Sequence, residues 1–254
     1  MLKSLLKIFA LIVFFFISQL IAALACGIIS GDDFQMLFSE KNATLFATCW
    51  TVTDLLLLAL LWLTKLAGRN GLRFKNLEVT KTTMKWAILA QILMLLAATG
   101  LLIKFDLDTG GMEEFLEYFI KSPIAIIMIV LVGPLLEEVI FRDGIIGALR
   151  EIGLKPWFAV ILSAVCFGVV HGNVAQFVNA TFMGVLLGLM YVKTNDLSLC
   201  LPAHIINNGL SVLAERFVPD EQITALPTVM LVGFGVVALL GVVMIAKDKL
   251  LPPC

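Results

Sequence analysis

The chain has 254 residues, of which 60% are hydrophobic and 15% charged, and its formal net charge at pH 7 is −1. Soluble domains are roughly 45–50% apolar and about 25% charged. These values, together with a mean hydropathy of +1.02, argue against a soluble globular protein and against a disordered or fibrous one. A net charge near zero also provides no basic field that would attract nucleic acid. We therefore expect a membrane protein whose partners include the lipid bilayer and no nucleic acid.

Apolar segments long enough to cross a bilayer recur along the whole chain. About 20 apolar residues span the hydrocarbon core, and none of the segments shows the two-residue alternation of a barrel strand. We predict an all-α fold, a polytopic membrane helical bundle of about eight transmembrane helices that forms a single integral membrane domain over residues 1–254. The predicted spans are 5–27, 45–67, 85–104, 121–149, 156–171, 175–193, 197–217 and 223–246.

Lysine and arginine residues in the loops predict the orientation, because short cytoplasmic loops carry an excess of them. In the eight-span arrangement, 13 of the 18 basic residues lie on one side of the membrane and four on the other. We therefore expect a multi-pass protein of the cell membrane with both termini in the cytoplasm. The first apolar segment has an alternative interpretation, since Ala23-Leu24-Ala25 before Cys26 is similar to the cleavage site of a secretory signal.

Charged residues lie inside the fourth span, where an ionised side chain costs about 2.5–3.5 kcal/mol to insert. Glu138 and Arg142 are four residues apart in the favourable acid-before-base order, so we expect them to pair on one helix face. Glu137 lies about 100° further round the helix, need not share that pairing, and can act on a water molecule. The alternative is a purely structural network of buried ion pairs, which would include Asp143.

Both histidines of the chain follow in later spans. His171 comes four residues after Phe167, and His204 comes four residues before Asn208, so the members of each pair share a helix face. Taken alone, each pair has a structural explanation as an interfacial residue or a hydrogen bond between helices. Together with Glu137, however, they supply a base and its partner for deprotonating water and two groups that can stabilise an oxyanion. This set suits the hydrolysis of a peptide bond by water, without a serine or cysteine nucleophile.

Three short motifs carry a resemblance to a known family. Glu137-Glu138-x-x-x-Arg142, Phe167-x-x-x-His171 and His204-x-x-x-Asn208 resemble, in order and spacing, the signatures of the CPBP intramembrane glutamic endopeptidases. That family includes the type II CAAX prenyl endopeptidases and the bacterial Abi proteins. The similarity covers residues 120–215, which form a CPBP-like catalytic core. The resemblance implies that Glu137 is the general base that activates water and that His171 assists it. It further implies that His204 and Asn208 form the oxyanion site, while Glu138 and Arg142 orient the catalytic groups.

The expected function is that of an intramembrane protease, similar to CAAX prenyl protease 2, that acts on a peptide or membrane-protein substrate without a cofactor or metal ion. A glutamate and two histidines are also a possible zinc-binding set, although no HExxH spacing supports one. Two other functions stay open. One is a non-catalytic membrane scaffold or bacteriocin immunity-type protein of the same fold. The other is a transporter, because intramembrane carboxylates and histidines serve transport as well.

Overall fold

The regular structure of this chain is helical throughout the part that the computed structural model describes, namely residues 1–68, 77–105, 112–217 and 225–247. This confirms the predicted all-α fold. Two short 3₁₀ turns, Phe34–Phe38 and Glu40–Asn42, connect the first two helices. Within these ranges the helices are α1 (Leu2–Ser30), α2 (Ala43–Thr64), α3 (Leu77–Lys104), α4 (Met112–Phe119), α5 (Pro123–Glu151), α6 (Pro156–Val169), α7 (Val174–Thr194), α8 (Cys200–Phe217) and α9 (Thr228–Lys247).

Most of these helices have the apolar character of membrane spans, and each predicted span corresponds to one of them. Among the described residues, four helical segments are long and apolar enough to cross a bilayer: Leu2–Ser30, Glu40–Thr64, Pro123–Glu151 and Gln176–Thr194. Shorter apolar helices cover Met84–Gly100, Pro156–Val169 and Thr228–Val243. α8 belongs to neither group, because its histidine, two asparagines, glutamate and arginine lower its hydropathy. α4 is an additional short helix that the sequence analysis did not predict.

The chain divides into two compact units. The first comprises Met1–Arg69 and Gly111–Gly153, and the second comprises Asn70–Gly110 and Leu154–Cys254. The single membrane domain over residues 1–254 stays a prediction, and so does the orientation in the membrane. Several basic residues used for the orientation lie outside the described residues: Arg69, Arg73, Lys75 and Lys249.

In the first unit, α1 packs along both α2 and α5. The Ser4 hydroxyl donates a hydrogen bond to Glu151 Oε2 at 3.1 Å near one end of α1. Further along α1, the rings of Phe15 and Phe141 meet edge-on with their centroids 6.0 Å apart. Buried small residues of α1, including Ala22, let it lie close to α2 in the core of this unit. α1 and α2 thereby flank the part of α5 that carries the carboxylate motif.

In the second unit, glycines allow α6 and α7 to approach closely. A Cβ atom added to Gly184 of α7 would lie 2.8 Å from the Cα atom of Ala164 in α6. One added to Gly168 of α6 would clash with Thr181 Oγ1 and lie 2.9 Å from the carbonyl oxygen of Phe177. Since no larger residue fits at these contacts without a shift of the backbone, the glycines determine how the end of α6 sits on α7.

Candidate active site

The carboxylate motif lies in a part of α5 that forms π-helical turns. α5 is π-helical over Met128–Val132 and again over Glu138–Ile146, and α-helical elsewhere. Pro134 accounts for the first stretch, because it has no N–H group and its ring clashes with the carbonyl four residues earlier. The N–H of Gly133 bonds instead to the carbonyl of Met128, five residues back. Such turns are rare and occur frequently at functional sites, and the sequence analysis did not predict them.

Glu138 and Arg142 form the buried ion pair that their spacing predicts. Arg142 Nε lies 3.2 Å from Glu138 Oε2, and the two side chains are 1% and 0% exposed. Removing one partner of a buried ion pair costs about 3–5 kcal/mol, because it leaves the other charge buried without compensation, so each side chain stabilises the other. The neighbouring Asp143 accepts a hydrogen bond from the backbone N–H of Gly68 at 2.6 Å. This bond ties the turn after α2 to α5.

Glu137 is the most accessible carboxylate of this motif. Its side chain is half-buried, whereas Glu138 is fully buried and Asp143 is buried. A general base exchanges protons with water and therefore has to be accessible to it. Glu137 is more accessible than Glu138.

His171 lies in the turn between α6 and α7. α6 ends at Val169, two residues before the predicted end of this span. Gly172 follows with φ of +79°, a left-handed conformation that favours glycine. Asn173 then caps α7, since its side-chain oxygen accepts a hydrogen bond from the backbone N–H of Gln176 at 2.7 Å. The local sequence after α6 therefore positions His171 at the end of the helix rather than within it.

A backbone contact determines which nitrogen of His171 carries the proton. Nδ1 lies 2.7 Å from the carbonyl oxygen of Phe167. A carbonyl oxygen can only accept a hydrogen bond, so Nδ1 is the donor, and Nε2 of the neutral ring is then the acceptor. His171 is thereby held in the tautomer in which Nε2 can take up a proton.

The ring of Phe167 contacts both histidines of the second unit. Its centroid lies 4.8 Å from that of His171 with an interplanar angle of 82°, and 5.9 Å from that of His204 with an angle of 89°. Both are edge-to-face arrangements, which aromatic rings favour. Phe167 and His171, which their spacing of four residues predicts to lie on one face, are thus in contact. The contact with His204 shows in addition that the two histidine motifs meet at one buried ring.

Asn208 lies one helical turn after His204 in α8, and its amide is oriented by a neighbour. Asn207 Nδ2 donates a hydrogen bond to Asn208 Oδ1 at 3.2 Å. The amide oxygen of Asn208 thus faces Asn207. The Nδ2 group of Asn208 points away from Asn207, and it is the kind of donor that an oxyanion requires. The positioning role of Asn207 was not predicted, because its only signal in the sequence is a second amide beside the motif.

The structure places the predicted site residues in two groups, one in each unit. Glu137, Glu138 and Arg142 lie in α5, whereas His171 and His204 contact Phe167 and Asn208 follows one helical turn after His204. No role was predicted for Asp54, whose only signal in the sequence is a lone carboxylate in an apolar span. Among the residues that the structure describes, no group of three or more histidine, cysteine, aspartate or glutamate side chains could hold a metal ion. The expected absence of a cofactor stays a prediction.

Comparisons with known proteins point to the family that the motifs indicate. Residues 119–210 match the family model described as type II CAAX prenyl endopeptidase Rce1-like. "Putative membrane peptidase YdiL" of Bacillus subtilis (strain 168) is 27% identical over 186 residues, which cover 70% of this chain and 75% of the relative. "Membrane-embedded CAAX protease MroQ" of Staphylococcus aureus (strain USA300) is 28% identical over 168 residues, which cover 61% and 68%. No solved structure matches with significance. Since the matched segment contains all three motifs, the family match and the relatives confirm the resemblance of this membrane protein to the CPBP intramembrane proteases.

Proposed function

We propose that this protein is a membrane-embedded endopeptidase that hydrolyses peptide bonds of peptide or membrane-protein substrates with a water molecule activated by Glu137. One observation carries the proposal: Glu138 is fully buried in an ion pair with Arg142, whereas the adjacent Glu137 is half-buried. A general base has to exchange protons with water, which a fully buried and paired carboxylate does poorly. The family match over residues 119–210 supports the same class of reaction.

In the proposed reaction, Glu137 takes a proton from water while the water oxygen bonds to the carbonyl carbon of the substrate. The electron pair of the carbonyl double bond moves onto its oxygen. His171 assists through Nε2, the nitrogen left basic by the bond from Nδ1 to the backbone. His204 and Nδ2 of Asn208 donate to the negative oxygen, a contribution of about 2.7–4 kcal/mol per donor in related chemistry. The carbon–nitrogen bond then breaks, and Glu137 returns its proton to the leaving amine.

Replacement of Glu137 by glutamine tests this proposal, because glutamine preserves the size of the side chain and removes the base. Peptide termini are compared between membranes of cells that express the wild type and cells that express Glu137→Gln. Termini that appear only with the wild type identify the cleaved bond. Purified protein and that peptide then give kcat/KM, which we expect to fall about 10²- to 10⁴-fold. Glu117→Gln is the matched control, since the Glu117 side chain is 65% exposed in α4, and it should retain wild-type activity. If Glu137→Gln, inserted at the wild-type level, cleaves as well as wild type, the endopeptidase mechanism is wrong and the scaffold or immunity function is favoured.

We also propose that the hydrolysis needs no metal ion. Glu137 supplies the base directly, and the sequence has no HExxH spacing that would bring two histidines to a zinc ion. Purified enzyme dialysed against a strong chelator should therefore keep its kcat/KM within about twofold of the untreated value. Such a change is much smaller than the loss expected when the general base is removed. A loss of activity that added zinc restores would instead support the zinc alternative.

A further inference from the structure

The connection between α1 and α2, residues 31–42, turns large apolar side chains outward. Phe34 is 65% exposed, Met36 46% and Phe38 38%. All three lie in the 3₁₀ turn Phe34–Phe38. Exposed apolar side chains that lie together, with polar residues around them, mark a surface that a protein or a membrane covers. The three motifs and the proposed reaction do not use this loop, so its apolar surface needs a separate explanation.

The polar groups inside the loop hold these side chains in place. The side chain of the buried Asn42 donates hydrogen bonds from Nδ2 to Asp32 Oδ2 at 2.8 Å and to the carbonyl oxygen of Met36 at 2.9 Å. Lys41 Nζ contacts the same oxygen of Asp32 at 2.8 Å. Leu37 is 2% exposed and packs beside Gly27 of α1. The turn is therefore fixed from within, and its outward apolar side chains are pre-organised for a partner.

Aromatic rings connect the exposed part of the loop to the core of the unit. The ring centroids of Phe34 and Phe38 are 5.4 Å apart, and those of Phe38 and Phe46 are 5.1 Å apart. Phe46, in α2, is 5% exposed. The apolar surface of the loop is thus continuous with the apolar surface of the helices that span the membrane.

The lengths of α1 and α2 indicate where in the bilayer the loop lies. Residues 8–30 of α1 contain no charged side chain, and at 1.5 Å per residue they extend over about 35 Å. α2 has 22 residues and extends over about 33 Å. The hydrocarbon core of a bilayer is about 30 Å thick. Two helices that each just cross the core leave their connection at its boundary with the headgroups.

The charged residues of the loop fit the same location. Asp33 is exposed, and the side chains of Glu40 and Lys41 are each 64% exposed. Charged groups need water or headgroups, whereas exposed phenylalanine needs an apolar environment, and only the boundary of the core offers both. Residues 31–42 include three acidic residues and one basic residue. A loop with this charge attracts no anionic headgroup, so its apolar side chains, and not its charges, make the contact.

We propose that residues 34–38 form an interfacial lipid-binding loop. Phe34, Met36 and Phe38 enter the acyl-chain boundary of the nearer leaflet, while the charged side chains of the loop stay among headgroups and water. The partner is the hydrocarbon of a lipid surface, without a requirement for lipids of a particular charge. This role involves none of the motif residues and is independent of the proposed endopeptidase activity.

Photocrosslinking of the full chain in phosphatidylcholine vesicles tests which molecule covers the loop. Phe34→p-benzoylphenylalanine and Met36→p-benzoylphenylalanine each place a photoreactive group on the apolar surface, and both positions are exposed enough to accept the larger side chain. Glu40→p-benzoylphenylalanine is the matched control on the charged part of the loop. Leu24→p-benzoylphenylalanine, at a position of α1 that is 57% exposed, shows the yield of a lipid-facing residue. The mass of the irradiated protein identifies the crosslinked molecule.

We expect lipid adducts at positions 34 and 36 in amounts similar to those at position 24, and several times more than at position 40. The yields at 34 and 36 should not rise when half of the phosphatidylcholine is replaced by phosphatidylglycerol. Crosslinks to a second copy of the chain in place of lipid would overturn the proposal in favour of a contact between copies. Lipid yields at 34 and 36 no higher than at 40 would overturn it as well, and so would yields that depend on the anionic lipid.

Discussion

Glu137 and Glu138 are adjacent in the chain, but their side chains have different surroundings. Successive residues of a helix point in directions about a quarter-turn apart, so one glutamate enters the ion pair with Arg142 while the other stays half-buried. This difference could be predicted from spacing alone, because it depends only on helix geometry. The hydrogen bonds from Ser18 and Gln19 to Asp54 could not be predicted, since they depend on how α1 and α2 pack together, and no local pattern encodes that packing.

Asp32, in the connection between α1 and α2, gives a prediction about pH at the residue scale. A hydrogen bond from Asn42 Nδ2 at 2.8 Å, and then the ion pair with Lys41 at 2.8 Å, lower the pKa of the Asp32 carboxyl group. A pKa lowered by folding stabilises the protein above the unfolded pKa, about 3.9, and this stabilisation is lost as the pH falls through the folded value.

We therefore expect thermal unfolding of the wild type in detergent to shift to lower temperature on acidification below about pH 4. The shift should be smaller in Asp32→Asn, which has no carboxylate to protonate. Asp33→Asn is the control, because Asp33 is exposed next to it, and it should respond to acid as the wild type does. An identical acid response of Asp32→Asn and wild type would show that these contacts do not stabilise the fold.

At the scale of helices, hydropathy predicted eight segments that all correspond to helices, because the apolar length of a segment is a property of the sequence itself. Two features depend on more than hydropathy. The π-helical turns of α5 follow in part from Pro134, whose effect on hydrogen bonding does not change the apolar pattern. α6 ends at Val169 because Gly172 and Asn173 form the turn, and the apolar run alone continues past that point.

Two glycine substitutions should have opposite effects on stability, because only one of the glycines lies at the close contact of α6 and α7. Gly168→Ala would place a methyl group against Thr181 and Phe177, and such overpacking costs about 1–3 kcal/mol. Gly147→Ala is the matched control in α5, where an added Cβ meets nothing within 4 Å. It should stabilise the helix by about 0.5–1 kcal/mol, because alanine loses less entropy than glycine on folding. The midpoint of thermal unfolding measures both effects. Equal midpoints for the two variants would mean that α6 and α7 do not pack as closely as described.

At the scale of the whole molecule, the distribution of basic residues predicts both termini in the cytoplasm. We expect a fluorescent protein fused to the C-terminus to be fluorescent in cells, and alkaline phosphatase fused there to be inactive, because the phosphatase folds only outside the cytoplasm. A phosphatase inserted after Asp33, in the loop between α1 and α2, should be active and serves as the control. Active phosphatase at the C-terminus would reverse the predicted orientation.

The contacts of Phe167 have a spectroscopic consequence. The chain contains two histidines, and both imidazoles lie edge-to-face with this one ring. An aromatic ring shifts the NMR resonances of nearby nuclei by an amount that depends on distance and angle. The imidazole signals of the unmodified protein therefore report the alignment of Phe167 without any added probe. A rotation of the Phe167 ring changes the shifts of both histidines together, whereas a movement of α6 against α8 changes mainly that of His204, and a movement of the His171 turn alone changes only that of His171.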